Sequence, residues 1–117
     1  MPAIDSYIMR FNPDIQQRLM VIRRTALDVF GSVEEKLYYT LPAFCSNGKV
    51  IMFYGAYKKH ISICVGNDWV DFLQYQYPQF QYTQFTILFQ HNEPFPDDVV
   101  QVICDLLKPG IQSKCSR

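Results

Sequence analysis

The sequence predicts an α+β domain of two layers, with helices packed on one face of an antiparallel sheet. Three observations carry that expectation. Ile15, Leu19, Ile22, Ala26 and Phe30 recur at spacings of four and three, which places them on one helical face. The segment Glu34–Val65, EEKLYYTLPAFCSNGKVIMFYGAYKKHISICV, alternates as consecutive strands do. Val99, Ile103 and Leu106 then form a second helical stripe, widened by Val102 and Leu107. A hairpin-linked sheet with one apolar face needs helices to cover it.

Each element has a local cause. Asp5–Met9 reads as a short helical turn. Asn12-Pro13-Asp14 opens the first long helix, because Asn caps a free N–H, Pro is preset for the first helical position, and Asp suits the positive helix end. That helix is expected over Pro13–Phe30, and Gly31 stops it. A first strand follows over Glu34–Leu41, with Leu37, Tyr39 and Leu41 toward the core and Pro42 ending it or marking an edge. Ser46-Asn47-Gly48 is a turn. The second strand spans Lys49–Tyr57 and the third His60–Val65.

A two-residue link at Lys58–Lys59 sets Ala56 against Ile61, Tyr54 against Ile63 and Met52 against Val65. Asn67 or Asp68 then caps a short helix over Trp69–Leu73. The Gln-and-aromatic run Gln74–Gln90 reads as a loop followed by a strand over Thr83–Phe89, with Phe85, Ile87 and Phe89 toward the core. Pro96, Asp97 and Asp98 open the last helix, and Pro109-Gly110 closes it.

Length and composition bound the function. The 117 residues fit one domain, 1–117, with a frayed tail over 111–117. An apolar content of 49%, with 9 Phe and 8 Tyr, excludes a disordered chain. Eleven basic residues balance eleven acidic ones, so neither nucleic acid nor an anionic membrane is an expected partner. The first ten residues lack the pattern of a secretory signal, and no apolar run is long enough to span a bilayer. None of Cys45, Cys64, Cys104 and Cys115 forms a CxxC pair. Free thiols in a reducing cytoplasm follow, with Cys115 in the polar tail the most reactive.

No nucleotide cradle or esterase elbow is present. His60 and Cys64 share a strand face but stand about 13 Å apart along it, too far for a nucleophile–base pair. Glu34–Glu35 and Asp97–Asp98 are sequence neighbours without the geometry of an acid/base dyad. The chain therefore reads as non-enzymatic, with no cofactor. What remains is the sheet face turned away from the core: Lys36, Tyr38, Thr40, Ile51, Phe53, Tyr57, His60, Ser62 and Cys64. It is too aromatic for a solvated surface. Tyr38, Phe53, Tyr57, His60 and Cys64 are the candidate binding residues, for a protein, a small ligand or a second copy of the chain. The competing expectation is that the short helix or the Gln-and-aromatic loop covers this face. Gly55, in mid-strand, marks a bulge or a close approach.

Glu35-Lys36-Leu37-Tyr38-Tyr39-Thr40-Leu41-Pro42-Ala43-Phe44 resembles a segment of the YdhG-like family of domains of unknown function. The resemblance continues through Asn47-Gly48-Lys49-Val50 and Lys58-Lys59-His60-Ile61-Ser62. It ends at Phe95-Pro96 with Val99-Val100. It implies a two-layer fold like that of secretion chaperones, in a cytosolic bacterial protein. The chain departs from the family at Tyr82-Thr83-Gln84-Phe85, where relatives commonly carry a glycine turn. Some members have been discussed as frataxin-like iron chaperones. On that alternative, iron would be the only cofactor, held by Glu34, Glu93, Asp97 and Asp98. The first long helix contributes only Asp14 and Asp28 as acids, few for an iron surface. A DNA-associated role, as in related small α+β folds, is disfavoured by the zero net charge.

Overall fold

The long helix forms where its caps dictate. In the computed structural model, which describes residues 3–109, α2 spans Pro13–Phe30 after a short α1 over Ala3–Met9. The expected frayed tail and Cys115 lie outside the described residues. The Asn12 side chain accepts the Ile15 N–H at 3.0 Å. Gly31, at φ 75°, donates its N–H to the Leu27 carbonyl at 3.0 Å. Ile15, Leu19, Ile22, Ala26 and Phe30 are all buried. From α2, Arg23 reaches Glu35 at 2.8 Å and also Asp5, so one guanidinium ties α1 to the sheet. Its bond to Glu35 is the main reason its pKa is raised.

The sheet has more strands than the sequence suggested. β1 spans Glu34–Tyr38, β2 Leu41–Ser46, β3 Lys49–Ala56, β4 His60–Cys64, β5 Gln81–Tyr82 and β6 Thr86–Gln90. They lie in the order β1-β2-β3-β4-β6-β5, antiparallel throughout. The expected first strand is really a hairpin: Tyr39 and Thr40, at φ 49° and 68°, turn the chain so that Tyr38 faces Leu41. Two left-handed residues make the tight turn that suits strand twist, but neither is the Asn or Gly that would announce it. The next hairpin uses the expected Asn47–Gly48, at φ 55° and 79°.

Pro42 therefore does not end a strand; it lies inside β2. Its missing N–H would point away from β1, and pairing with β3 begins one residue later, at Ala43. Leu37 and Tyr39, expected in the core, are 41% and 83% exposed because one is on an edge strand and the other in a turn.

The β3–β4 register is as the alternation demanded. Tyr54 faces Ile63, Ala56 faces Ile61, Gly55 faces Ser62 and Phe53 faces Cys64. Met52, Tyr54, Ile61, Ile63, Ile87 and Phe89 form one apolar face. The buried residues of all four helices join it in a single core. A bulge between Phe44 and Cys45 turns Ile51, expected on the other face, to pack against that core.

After β4, α3 runs over Asn67–Gln76, longer than expected, and buries Val70 and Leu73. It begins at Gly66 without a side-chain cap, in place of the Asn67 or Asp68 cap expected. The Gln-and-aromatic run supplies the end of α3 and a small hairpin. The Tyr82 hydroxyl bonds the Tyr77 and Leu73 carbonyls at 2.8 and 3.0 Å, and Thr83 donates to Thr86 at 3.0 Å. Phe85 lies in that turn with its ring 46% exposed, so it leaves the core while its carbonyl accepts the Val65 and Gly66 N–H groups. Helix α4, Asp97–Leu107, starts one residue after Pro96. It buries Val100 and Cys104 where Val102 and Leu106 were expected.

Gly55 has a specific structural cause. Pairing of β2 with β3 stops at Phe53, leaving the Ala56 N–H beyond its reach, and the Tyr7 hydroxyl accepts it at 3.1 Å. A Cβ on Gly55 would lie 2.7 Å from Leu41 Cδ2 and 3.2 Å from that hydroxyl. Gly55→Ala should therefore cost about 1–3 kcal/mol in urea unfolding, and adding Leu41→Ala should return part of the loss. Equal stability of Gly55→Ala and wild type would show that the contact is not tight.

Candidate functional site

The outer sheet face is built from residues directly opposed across strands. Lys36, Ala43, Phe53, Cys64 and Thr86 form one row, and Gly55, Ser62 and Leu88 the next. Neither the short helix nor the Gln-and-aromatic segment covers this face. Val70 and Leu73 of α3, and Tyr82 with Phe80, pack on the core side. Tyr38, Phe53, His60, Ser62 and Cys64 are half-buried, and Tyr57 is 46% exposed.

The five candidate residues fall into two groups. Tyr38 packs its ring 5.2 Å from Phe53, and Phe53 lies opposite Cys64. Tyr39 extends this group, its ring 4.6 Å from Tyr38. Tyr38, Phe53 and Cys64, together with Val50, Ile51 and Gly66, line a hollow of about 320 Å³. The second group is Tyr57 and His60, rings 5.2 Å apart at the β3–β4 link. Gly55 and Ser62 lie between them, and Phe53 and Tyr57 are about 13 Å apart along the strand. The face is thus not one continuous aromatic surface. The close approach to Gly55 comes from the chain's own Leu41 and Tyr7.

Among the described residues, no charged side chain lines the hollow. Burial pushes the Cys64 thiol up, which its bond with the Gly66 backbone only partly offsets. A thiol shifted that way is mostly protonated at neutral pH and a poor nucleophile. Burial pushes Cys104 up as well, to about 12.

The four carboxylates of the iron alternative are not brought together. Glu34 is on the β1 edge, whereas Glu93 follows β6, four strands across the sheet. At about 4.8 Å per strand this separates them by roughly 19 Å. Among the described residues no three His, Cys, Asp or Glu side chains converge on a possible metal position.

A larger depression of about 630 Å³, which sequence reasoning did not find, lies where α2 meets the β3–β4 link. Two of its polar side chains help hold the fold, while His91 Nδ1 is buried without a hydrogen-bond partner among the described residues. Arg18 donates to the Gln90 and Glu93 carbonyls at 3.3 and 2.8 Å and lies over the Phe95 ring. His91 Nε2 is 2.7 Å from the Tyr57 carbonyl. Only contacts between residues more than thirty apart in sequence create it, so no local signal announced it.

Alkylation offers a direct reading of the hollow. Cys64 in the folded chain should react with iodoacetamide more slowly at pH 7 than in urea, and its midpoint should move to higher pH. Peptide mapping separates it from the other cysteines. Equal rates in the two states would contradict a desolvated thiol.

No family model matches the sequence, and no curated protein matches it. The match is in structure. The crystal structure of a DUF1801-family protein, YdhG, from Bacillus subtilis aligns with this chain at a TM-score of 0.81. The alignment covers 97% of this chain and 94% of that one, at 15% sequence identity. At that identity the likeness is one of fold. It extends from the first helices to the last, in agreement with the segments Glu35–Phe44 and Lys58–Ser62 that resemble the same family. In fold, this chain is a YdhG-like domain.

Proposed function

We propose that this chain is a cytoplasmic, non-enzymatic binding domain. It holds an apolar group of a protein partner or small ligand in the hollow between Tyr38, Phe53 and Cys64. The observation that carries this reading is a concave surface bearing Tyr38 and Phe53 on the sheet face turned away from most of the core. Exposed aromatic clusters of this kind mark recognition surfaces more often than structural ones.

The lining sets the ligand class. Two rings, a protonated thiol and Val50 offer contact area without a strong charge. The Gly66 N–H is already engaged, with the Phe85 carbonyl at 3.1 Å and with the Cys64 sulfur. An aromatic ring or a branched aliphatic chain fits that chemistry. The free thiols Cys45, Cys64 and Cys104 support a reducing compartment. None of the helices described is long and apolar enough to cross a membrane.

An NMR screen with small aromatic fragments tests the reading. Amide shifts should gather at Tyr38, Phe53, Cys64 and Gly66. Phe53→Ser should weaken the best fragment at least tenfold at a stability cost of about 1 kcal/mol. Shifts gathered instead around Arg18 and Lys58, or none on the outer face, would overturn it.

A further inference from the structure

The sheet is open, and its two edges differ. On one side β5 has two residues, which blunts that edge. On the other, β1 runs five residues, Glu34–Tyr38, with no proline, glycine or bulge. Because Tyr38 and Leu41 flank a two-residue turn, the backbone groups of Tyr38, Lys36 and Glu34 face β2. Those of Leu37 and Glu35 face outward. Leu37 is 41% exposed and Tyr39 83%, and Tyr39 is held in a left-handed turn that a glycine would form at less cost. Glu34 and Lys36 are exposed on the outer face, and neither is in an ion pair among the described residues.

We propose that β1 pairs antiparallel with β1 of a second copy of this chain, centred on Glu35, so that the two sheets become one. A two-fold axis perpendicular to the sheet sets same-face residues opposite each other, so the register must centre on a residue. Centred on Lys36, it sets Lys36 against its own copy. Centred on Leu37, it leaves Lys36 facing Tyr38 of the partner copy and Glu35 facing Tyr39. Centred on Glu35, it sets Glu34 against Lys36 of the partner copy, twice.

Leu37 then meets the partner copy's Val33. Each Glu35 reaches the axis with its charge already held by its own Arg23, Nε to Oε1 at 2.8 Å. Glu35 donates to and accepts from its copy, and Leu37 donates to the Val33 carbonyl. The Val33 N–H stays on Gly31 at 3.0 Å. Edge charges that repel a generic strand thus complement their own copy. The chain's zero net charge adds no repulsion between copies. The pairing does not depend on the hollow, since it sets the Tyr38–Tyr39 groups of the two copies at opposite ends of the paired strands, roughly 20 Å apart.

Sedimentation of the full chain with a charge-swap cycle tests this. The wild type should dimerise. E34K and K36E should each weaken the dimer about thirty-fold, since two attractions become two repulsions. The double variant E34K/K36E should restore it to within a few-fold, and Phe53→Ser should leave it unchanged. Circular dichroism confirms that each variant is folded, as expected for exposed edge positions. A wild type that stays monomeric at every soluble concentration would overturn the proposal. So would a dimer indifferent to either single reversal, or a double variant no better than the singles.

Discussion

The antiparallel register of β3 and β4, with Tyr54 opposite Ile63 and Ala56 opposite Ile61, decides which side chains the rest of the chain must cover. Side chains alternate along a strand, so a slip of one residue would send the inward set of one strand, Met52 and Tyr54 or Ile61 and Ile63, to solvent. Each such side chain contributes roughly 1.5–3 kcal/mol when buried. No competing register recovers that. β6 then extends the same rows, with Ile87 against Ile63 and Phe89 against Ile61. The helices α2 and α4 supply Leu19, Ile22, Val100 and Ile103 to the one face so defined.

The parts of this fold that were legible in the sequence are those fixed by local chemistry. Asn12, Pro13 and Gly31 bound α2, and Asn47–Gly48 makes its hairpin, because each residue type has a conformational reason to be there. The Lys58–Lys59 link was readable only through the alternation on either side of it. What escaped was set by tertiary contacts. Tyr39 and Thr40 turn the chain without glycine, because the strands they join demand it, so β1 and β2 read as one strand with a proline at its end. Ile51 changed faces through a bulge, which leaves no mark in composition. Phe85 has the parity of a core residue but falls in a turn whose carbonyl is needed to bind the end of β4.

The candidate site is a consequence of the same register. Phe53 and Cys64 oppose each other because Tyr54 and Ile63 do, one step along. Reading the two sheet faces separately therefore located Tyr38, Phe53, Tyr57, His60 and Cys64 on one side. It did not reveal that they divide into two groups. Gly55 and Ser62 carry too little side chain to bridge them, and Leu41 occupies the space a larger residue would need. The hollow is left to the Tyr38 end, where the edge strand and the bulge meet.

The central claim is this division of one sheet into a face that builds the fold and a face left free. Hydroxyl-radical footprinting with residue-level mass spectrometry reads it directly, since tyrosines lie on both sides of the division. Tyr39, Tyr57 and Tyr75 should be modified readily, whereas Tyr7 and Tyr54 should be protected until the chain unfolds. Modification of Tyr54 at a rate like that of Tyr57 in the folded chain would mean that β3 is paired one residue out of this register, and the account of both faces would fail with it.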